Sequence, residues 1–160
     1  MTPEAKLPPV SALLLAAAGV IVSVIGAYFL FARPPLLPED ISFMQLSPAE
    51  LAAIGPRLEL WLTQVFRVLG GFALACGVLT VTLAGTAFRA RNPIAVAGAF
   101  VAGAASIGLM AVVNFAIDSN FKWELLGAAL VWASSAIAFA AEAGAARLAT
   151  RTAPGPGPTE

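Results

Sequence analysis

Residues 67–88 read RVLGGFALACGVLTVTLAGTAF. A helix over this stretch is long enough to cross the roughly 30 Å hydrocarbon core of a bilayer. Within it Gly70, Ala73, Gly77, Thr80, Ala84 and Ala87 recur at alternating steps of three and four. That spacing draws a seam of small side chains along one helix face, where a second backbone can approach closely. In a membrane, close backbone approach replaces the hydrophobic effect as the force between helices. Arg67 stands three residues before Gly70 on the same seam and is expected to face the bundle.

Three further runs have the same character. Val10–Phe31 carries Ala12, Ala16, Gly19, Ser23 and Gly26 on one face, with Tyr28 near one end as an interfacial aromatic. It reads as a span and not as a cleaved leader. Its apolar core is too long, only Lys6 makes a basic start, and it ends in FLFARPP without a small-residue cleavage site. Residues 93–117 carry small residues on two faces, Ala95, Gly98, Ala102 and Ala105 on one and Ala99, Gly103 and Ser106 on the other. A helix with two such faces is expected to touch two neighbours and to be the most buried of the four. Residues 122–146 open on the interfacial triplet Lys122-Trp123-Glu124 and carry Gly127, Val131, Ser134, Ala138, Ala141 and Ala145. The glycines expected to carry the packing seam are Gly19, Gly26, Gly70, Gly77, Gly103 and Gly127.

The reading is therefore an all-α integral membrane protein, a four-helix transmembrane bundle in one domain over residues 10–148. Residues 1–9 form a cytoplasmic lead, and residues 149–160, ending APGPGPTE, form a disordered tail. Residues 33–60 make the one long loop. In it Ser47-Pro48-Ala49-Glu50 is a capping box with proline at the first helical position, opening a short helix to Ile54. Gly55-Pro56 ends that helix and starts another that runs on into the membrane. Leu51, Ile54, Leu58 and Trp61 place this helical extramembrane cap partly in the headgroup layer.

Composition agrees. The chain has 160 residues, 59% hydrophobic and 11% charged, with mean hydropathy +0.88, where a soluble domain carries about a quarter charged residues. Lys+Arg and Asp+Glu are 9 each, so no net charge recruits nucleic acid. The single Cys76 forms no intramolecular disulfide, and histidine is absent. Without histidine the commonest general base and the usual haem and zinc ligand are missing, and no cofactor, metal site or catalytic residue is expected. Lys6, Arg89, Arg91, Arg147 and Arg151 share the side of the termini. Arg33, Arg57, Arg67 and Lys122 lie on the other, where the long loop escapes the rule. The bias places both termini in the cytoplasm, in what reads as a bacterial inner membrane.

Helices two and three form an antiparallel hairpin about Arg89–Asn92. Counting back along each arm sets Arg67 level with Asn114, and Thr63 level with Asp118. Glu59, Thr63 and Arg67 share one face, as do Asn114 and Asp118. A polar cluster of Arg67, Asn114, Asp118 and Glu59 is thus expected at the outer end, joined by Glu124. Its plainer reading, an interfacial clamp around Arg67, is preferred to a functional site. Glu142, near the inner end of helix four, is expected to pair with Arg147 or Arg89. Ser134, Ser135 and Thr80 are expected to bond backbone carbonyls.

The stretch RVLGGFALACG, from Arg67 to Gly77, resembles the second-helix pattern of small four-helix membrane proteins of the broad DoxX-like group, which also share four spans and a longer first loop. The resemblance implies a bundle and transfers no catalytic residue. The function expected is that of a non-enzymatic accessory or interaction subunit acting through membrane lipids, other membrane proteins or self-association. The alternative is a small transporter or channel component working as an oligomer.

Overall fold

The computed structural model describes residues 8–152, with Ile54 and Thr152 described by backbone alone. Residues 1–7 and 153–160, most of the expected lead and tail, lie outside the described residues. The described chain is helical, with no strand. Four helices are long and apolar enough to cross a membrane: α1 (Val10–Phe31), α4 (Pro56–Phe88), α5 (Pro93–Ala116) and α6, which runs from Lys122 to Thr152. Between α1 and α4 lie the short cap helices α2 (Pro38–Met44) and α3 (Pro48–Ile54). The chain is a four-helix membrane bundle. Two features differ from the sequence reading: α6 continues past residue 146 to Thr152, into the expected tail, and α2 has no counterpart in that reading.

The contact between α1 and α4 is the most extensive in the molecule. It is antiparallel and built on glycine. A Cβ on Gly70 would sit 2.6 Å from the Leu30 amide nitrogen, and one on Gly77 would sit 2.6 Å from the Gly19 carbonyl oxygen. On Gly26 it would sit 2.8 Å from the Leu74 Cα, and on Gly19 2.9 Å from the Gly77 carbonyl oxygen. All of these are shorter than a carbon atom tolerates, so the two backbones meet because no side chain stands between them. Ser23 fits in the seam by donating its hydroxyl back to the Gly19 carbonyl at 2.9 Å. Gly103 is filled differently: a Cβ there would overlap the Trp132 indole, whose Nε1–H donates to the Ala99 carbonyl at 3.4 Å. Gly127 is a correction. It is exposed, and a Cβ there would meet nothing within 4 Å, because α6 turns Ala128 inward instead.

The other side of α1 packs on α6, and α5 packs on α6 and reaches α4 chiefly near the Arg89–Asn92 turn. The central helix is therefore α1, and not the third span as its two small faces implied. In its apolar window α1 has 28% of residues buried, against 17–22% in the other spans. Of the small face expected on Ala95, Gly98, Ala102 and Ala105, Ala95 is half-buried and the other three are exposed. Leu15 and Ala12 of α1 pack with Ala84, Phe88 and Ala99, covered by Phe100, Trp132 and Phe139. Nearer the bundle middle Val22 packs with Ile107 and Ala128.

Two π-helical turns, Ala84–Phe88 and Ala104–Gly108, interrupt α4 and α5. Each admits an extra residue to the turn and so rotates the remainder of its helix by about 100°. Phe88, at 1% exposure, ends the first and lies 5.3 Å from the Phe139 ring centroid. Ile107, in the second, is buried against Val22 and Ala128. As expected, Thr80 and Ser135 bond carbonyls of their own helix, at Cys76 and Trp132.

The expected capping box opens α3. Glu50 N–H donates to Ser47 Oγ at 3.3 Å, and Ser47 N–H and Oγ donate to Glu50 Oε2 at 2.8 and 2.6 Å. These donors hold the Glu50 carboxyl below its ordinary value of 4.5. Of the residues expected to meet the headgroups, Leu58 and Trp61 are exposed and Leu51 is half-buried, and Phe43 and Met44 are exposed nearby. Three helices close on non-glycine residues in the left-handed region, Gln45, Arg91 and Asp118. After each, the next amide reaches back to the fifth residue before it, such as Ser119 N–H to the Asn114 carbonyl at 2.9 Å.

Gly26→Leu and Gly77→Leu should each cost about 1–3 kcal/mol or more by overpacking, whereas Gly127→Leu should stay within about 0.5 kcal/mol. Thermal unfolding in mild detergent reads the difference, and equal stabilities would remove the glycine contact as the organising one.

Candidate functional site

Because α1 stands between α4 and α5, the bundle closes at the Arg89–Asn92 end and splays at the cap end. The splay leaves a cleft of about 530 Å³, within the range of about 300–1,000 Å³ typical of small-molecule sites. Ile21, Val24, Ile25, Tyr28 and Phe29 form its back wall, Phe66 one side, and Met110, Val113, Asn114 and Ile117 the other, with Leu125 and Ala128 of α6 below. From Ile21 to Phe29 it follows α1 for about 12 Å. Its floor is the cluster of Val22, Ile107 and Ala128, on which Ile21, Ile25, Met110 and Leu125 also pack.

The mouth is polar and is organised by Arg33. Pro34-Pro35 stops α1 and turns the chain back across the bundle end. The Arg33 side chain, only 6% exposed, is held over the Phe66 ring at 3.5 Å from its centroid, with Phe29 at 5.2 Å. Its Nη1 donates to the Pro34 carbonyl at 2.9 Å and its Nη2 to Asp40 Oδ2 at 2.9 Å. Asp40 is the third residue of α2, where its carboxylate also accepts the Leu37 N–H at 2.9 Å and so caps the helix. One carboxylate thus starts α2 and anchors the arginine. The neighbouring Glu39 is 7% exposed; it accepts from Ser119 Oγ at 3.1 Å and Asn120 Nδ2 at 3.4 Å. This latch ties α2 to the α5–α6 turn. Ser119 Oγ in turn accepts the Phe121 N–H at 3.1 Å at the start of α6.

At the opposite end Glu142 accepts from Ser11 N–H at 3.0 Å, Ser11 Oγ at 2.7 Å and Arg91 Nη2 at 2.9 Å. The partner is Arg91, and not Arg147 or Arg89 as expected. Pro9, which precedes α1, offers no side-chain cap. The α6 carboxylate therefore satisfies the first free amides of α1 and meets the positive end of its dipole. Arg91 lies 5.1 Å from the Phe139 ring centroid. This network is a clamp joining three segments.

The expected cluster of Arg67, Asn114, Asp118 and Glu59 does not assemble. The Arg67 side chain is exposed and makes no hydrogen bond or ion pair among the described residues. Asp118 projects into solvent from a left-handed turn and pairs with Lys122, one turn along. Asn114 lines the cleft with its Nδ2 donating to the Met110 carbonyl at 2.9 Å. Glu59 is exposed, and its carbonyl accepts from Thr63 Oγ1. The counted register assumes that helices two and three stay in contact to their far ends, whereas the cleft separates them there. The signals for the residues missed were Pro38 followed by two acids, which is a helix start, and an arginine just after the aromatic end of α1 (Tyr28, Phe29, Phe31).

Among the described residues no group of three or more His, Cys, Asp or Glu side chains could hold a metal ion. Comparisons with protein-family models, curated proteins and solved structures gave no match, so the functional reading rests on this geometry.

Arg33→Ala should cost about 2–3 kcal/mol, since it strips a partly buried carboxylate of its charge partner, and Arg67→Ala should stay within about 0.5 kcal/mol. In a double-mutant cycle Arg33 and Asp40 should couple by about 0.5–3 kcal/mol. Strictly additive losses in detergent would show that the pair does not hold the cap.

Proposed function

We propose that this protein is a non-enzymatic accessory membrane protein that acts through lipid contacts, holding the chain of a lipid-like amphiphile in the cleft at its cap end. One observation carries the reading: an apolar cleft open at the side of the bundle and closed below, with polar groups gathered only at its mouth. Such a shape takes an alkyl chain lengthwise and leaves its headgroup at the membrane surface. A chain in the cleft would cover Val24 and Val113, which are 64% and 45% exposed. The basic bias toward the Arg89–Arg91 turn supports placing the cap outside and the termini in the cytoplasm of a bacterial inner membrane.

The second reading is a small transporter component, favoured by the π turn in the middle of α5, since broken helices mark transport sites. The layers beneath the cleft weigh against it. Below Val22, Ile107 and Ala128 lie Leu15, Phe88, Phe100 and Phe139, so a bound chain has no continuation toward the other side.

Native mass spectrometry of protein extracted in mild detergent should find an amphiphile retained by the wild type and lost from the double variant Val24→Phe, Val113→Phe, with thermal stability unchanged. Retention in the filled variant would reject the cleft as the site. In intact cells of a Cys76→Ala background, an impermeant maleimide should label Ser42→Cys directly and Ala90→Cys only after permeabilisation; the reverse pattern would invert the orientation.

A further inference from the structure

Resting on the proposal that the cleft holds an amphiphile, we infer that its ligand is a single-chain amphiphile with a cationic, ammonium-type headgroup. The charged residues lining the cleft are Arg33, Glu39, Asp40 and Glu124, three acids against one base. The base is already used. Both terminal nitrogens of Arg33 are engaged, its plane is stacked on Phe66, and its side chain is 6% exposed. Its charge is already balanced by Asp40, and the side chain is almost wholly withdrawn from the cleft's water, so it offers little net attraction to a phosphate, sulfate or carboxylate headgroup. The acids are less satisfied. Glu39 is 7% exposed and meets only the neutral donors Ser119 and Asn120. Glu124 makes no ion pair among the described residues. A carboxylate withdrawn from water with no cation beside it raises the local field toward positive charge.

The rest of the mouth suits the same headgroup. Tyr28 and Phe121 line it with the two acids, and aromatic faces attract alkylammonium groups. Asn114 gives one amide N–H to the Met110 carbonyl, and its oxygen has no partner among the described residues and can accept in the cleft. Arg67, one residue beyond Phe66, is outside the lining. An anionic headgroup would meet two carboxylates without an ion-pair partner and one guanidinium already paired with Asp40. A cationic one meets carboxylates, ring faces and a carbonyl oxygen while its chain follows α1 toward Ile21.

The test is titration calorimetry of the full chain in nanodiscs of neutral phosphatidylcholine, with three probes sharing one chain: dodecyltrimethylammonium, dodecanol and dodecyl sulfate. The cationic probe should bind at least about tenfold more tightly than the sulfate, as expected for one ion pair at partial burial. Glu124→Gln, an exposed change that leaves the cap intact, should narrow the ratio several-fold. Adding Glu39→Gln should bring the two probes within about twofold, and the Val24→Phe, Val113→Phe variant should lose all three. Equal or preferential binding of sulfate by the wild type overturns the headgroup inference while leaving the cleft as an amphiphile site. A cationic preference unmoved by both glutamate changes also overturns it. Failure of all three probes to bind the wild type overturns the cleft reading itself.

Discussion

Two backbones in contact, α1 against α4 across Gly19, Gly26, Gly70 and Gly77, set the arrangement of everything else. Lipid tails are as apolar as leucine, so a membrane helix gains little by exchanging lipid for a bulky neighbour. It gains by close packing along a whole seam, and here that seam is continuous from Gly19 to Leu30 on α1. Once α4 holds one side of α1, α6 takes the other, and α5 packs on α6 and meets α1 through Ala99 and Ile107, reaching α4 chiefly at the tight turn that joins them. The central position of α1 and the cleft between α4 and α5 are two consequences of one contact.

The two ends of the bundle answer different physical needs. At the Arg89–Asn92 end, aromatic rings fill the interior and the Glu142 carboxylate satisfies the start of α1. At the cap end the interior stays open, and polar side chains bridge it: Arg33 to Asp40, and Glu39 to Ser119. A polar bridge over an apolar cleft lets the cap hold its place without filling the space beneath it. The result is a cleft with an apolar wall, a closed floor and an acidic rim.

The spans, the glycine seam of α1 and α4, and the capping box of α3 were legible because each follows from local spacing. Gly127 reads as a seam residue by the same spacing and is not one, because periodicity marks a face without saying what covers it. The Arg67 cluster failed for a related reason: a register counted from a turn holds only while the helices stay in contact. The residues that do form the mouth, Arg33, Glu39 and Ser119, come from loops and helix ends, where no periodicity operates. The Glu142–Ser11 bond joins residues at opposite ends of the chain, beyond the reach of any local rule.

By itself the sequence determined the membrane class, the number of spans and the small faces available for packing, because bilayer thickness, backbone hydrogen bonding and helical period act on short stretches of chain. Only the tertiary structure decided which small faces are used, that α1 and not α5 is central, and that Arg33 and not Arg67 closes the cap end. Several faces were equally small and several charges equally well spaced. The choice among them depends on which pairs of helices reach continuous contact, and that is a property of the whole assembly.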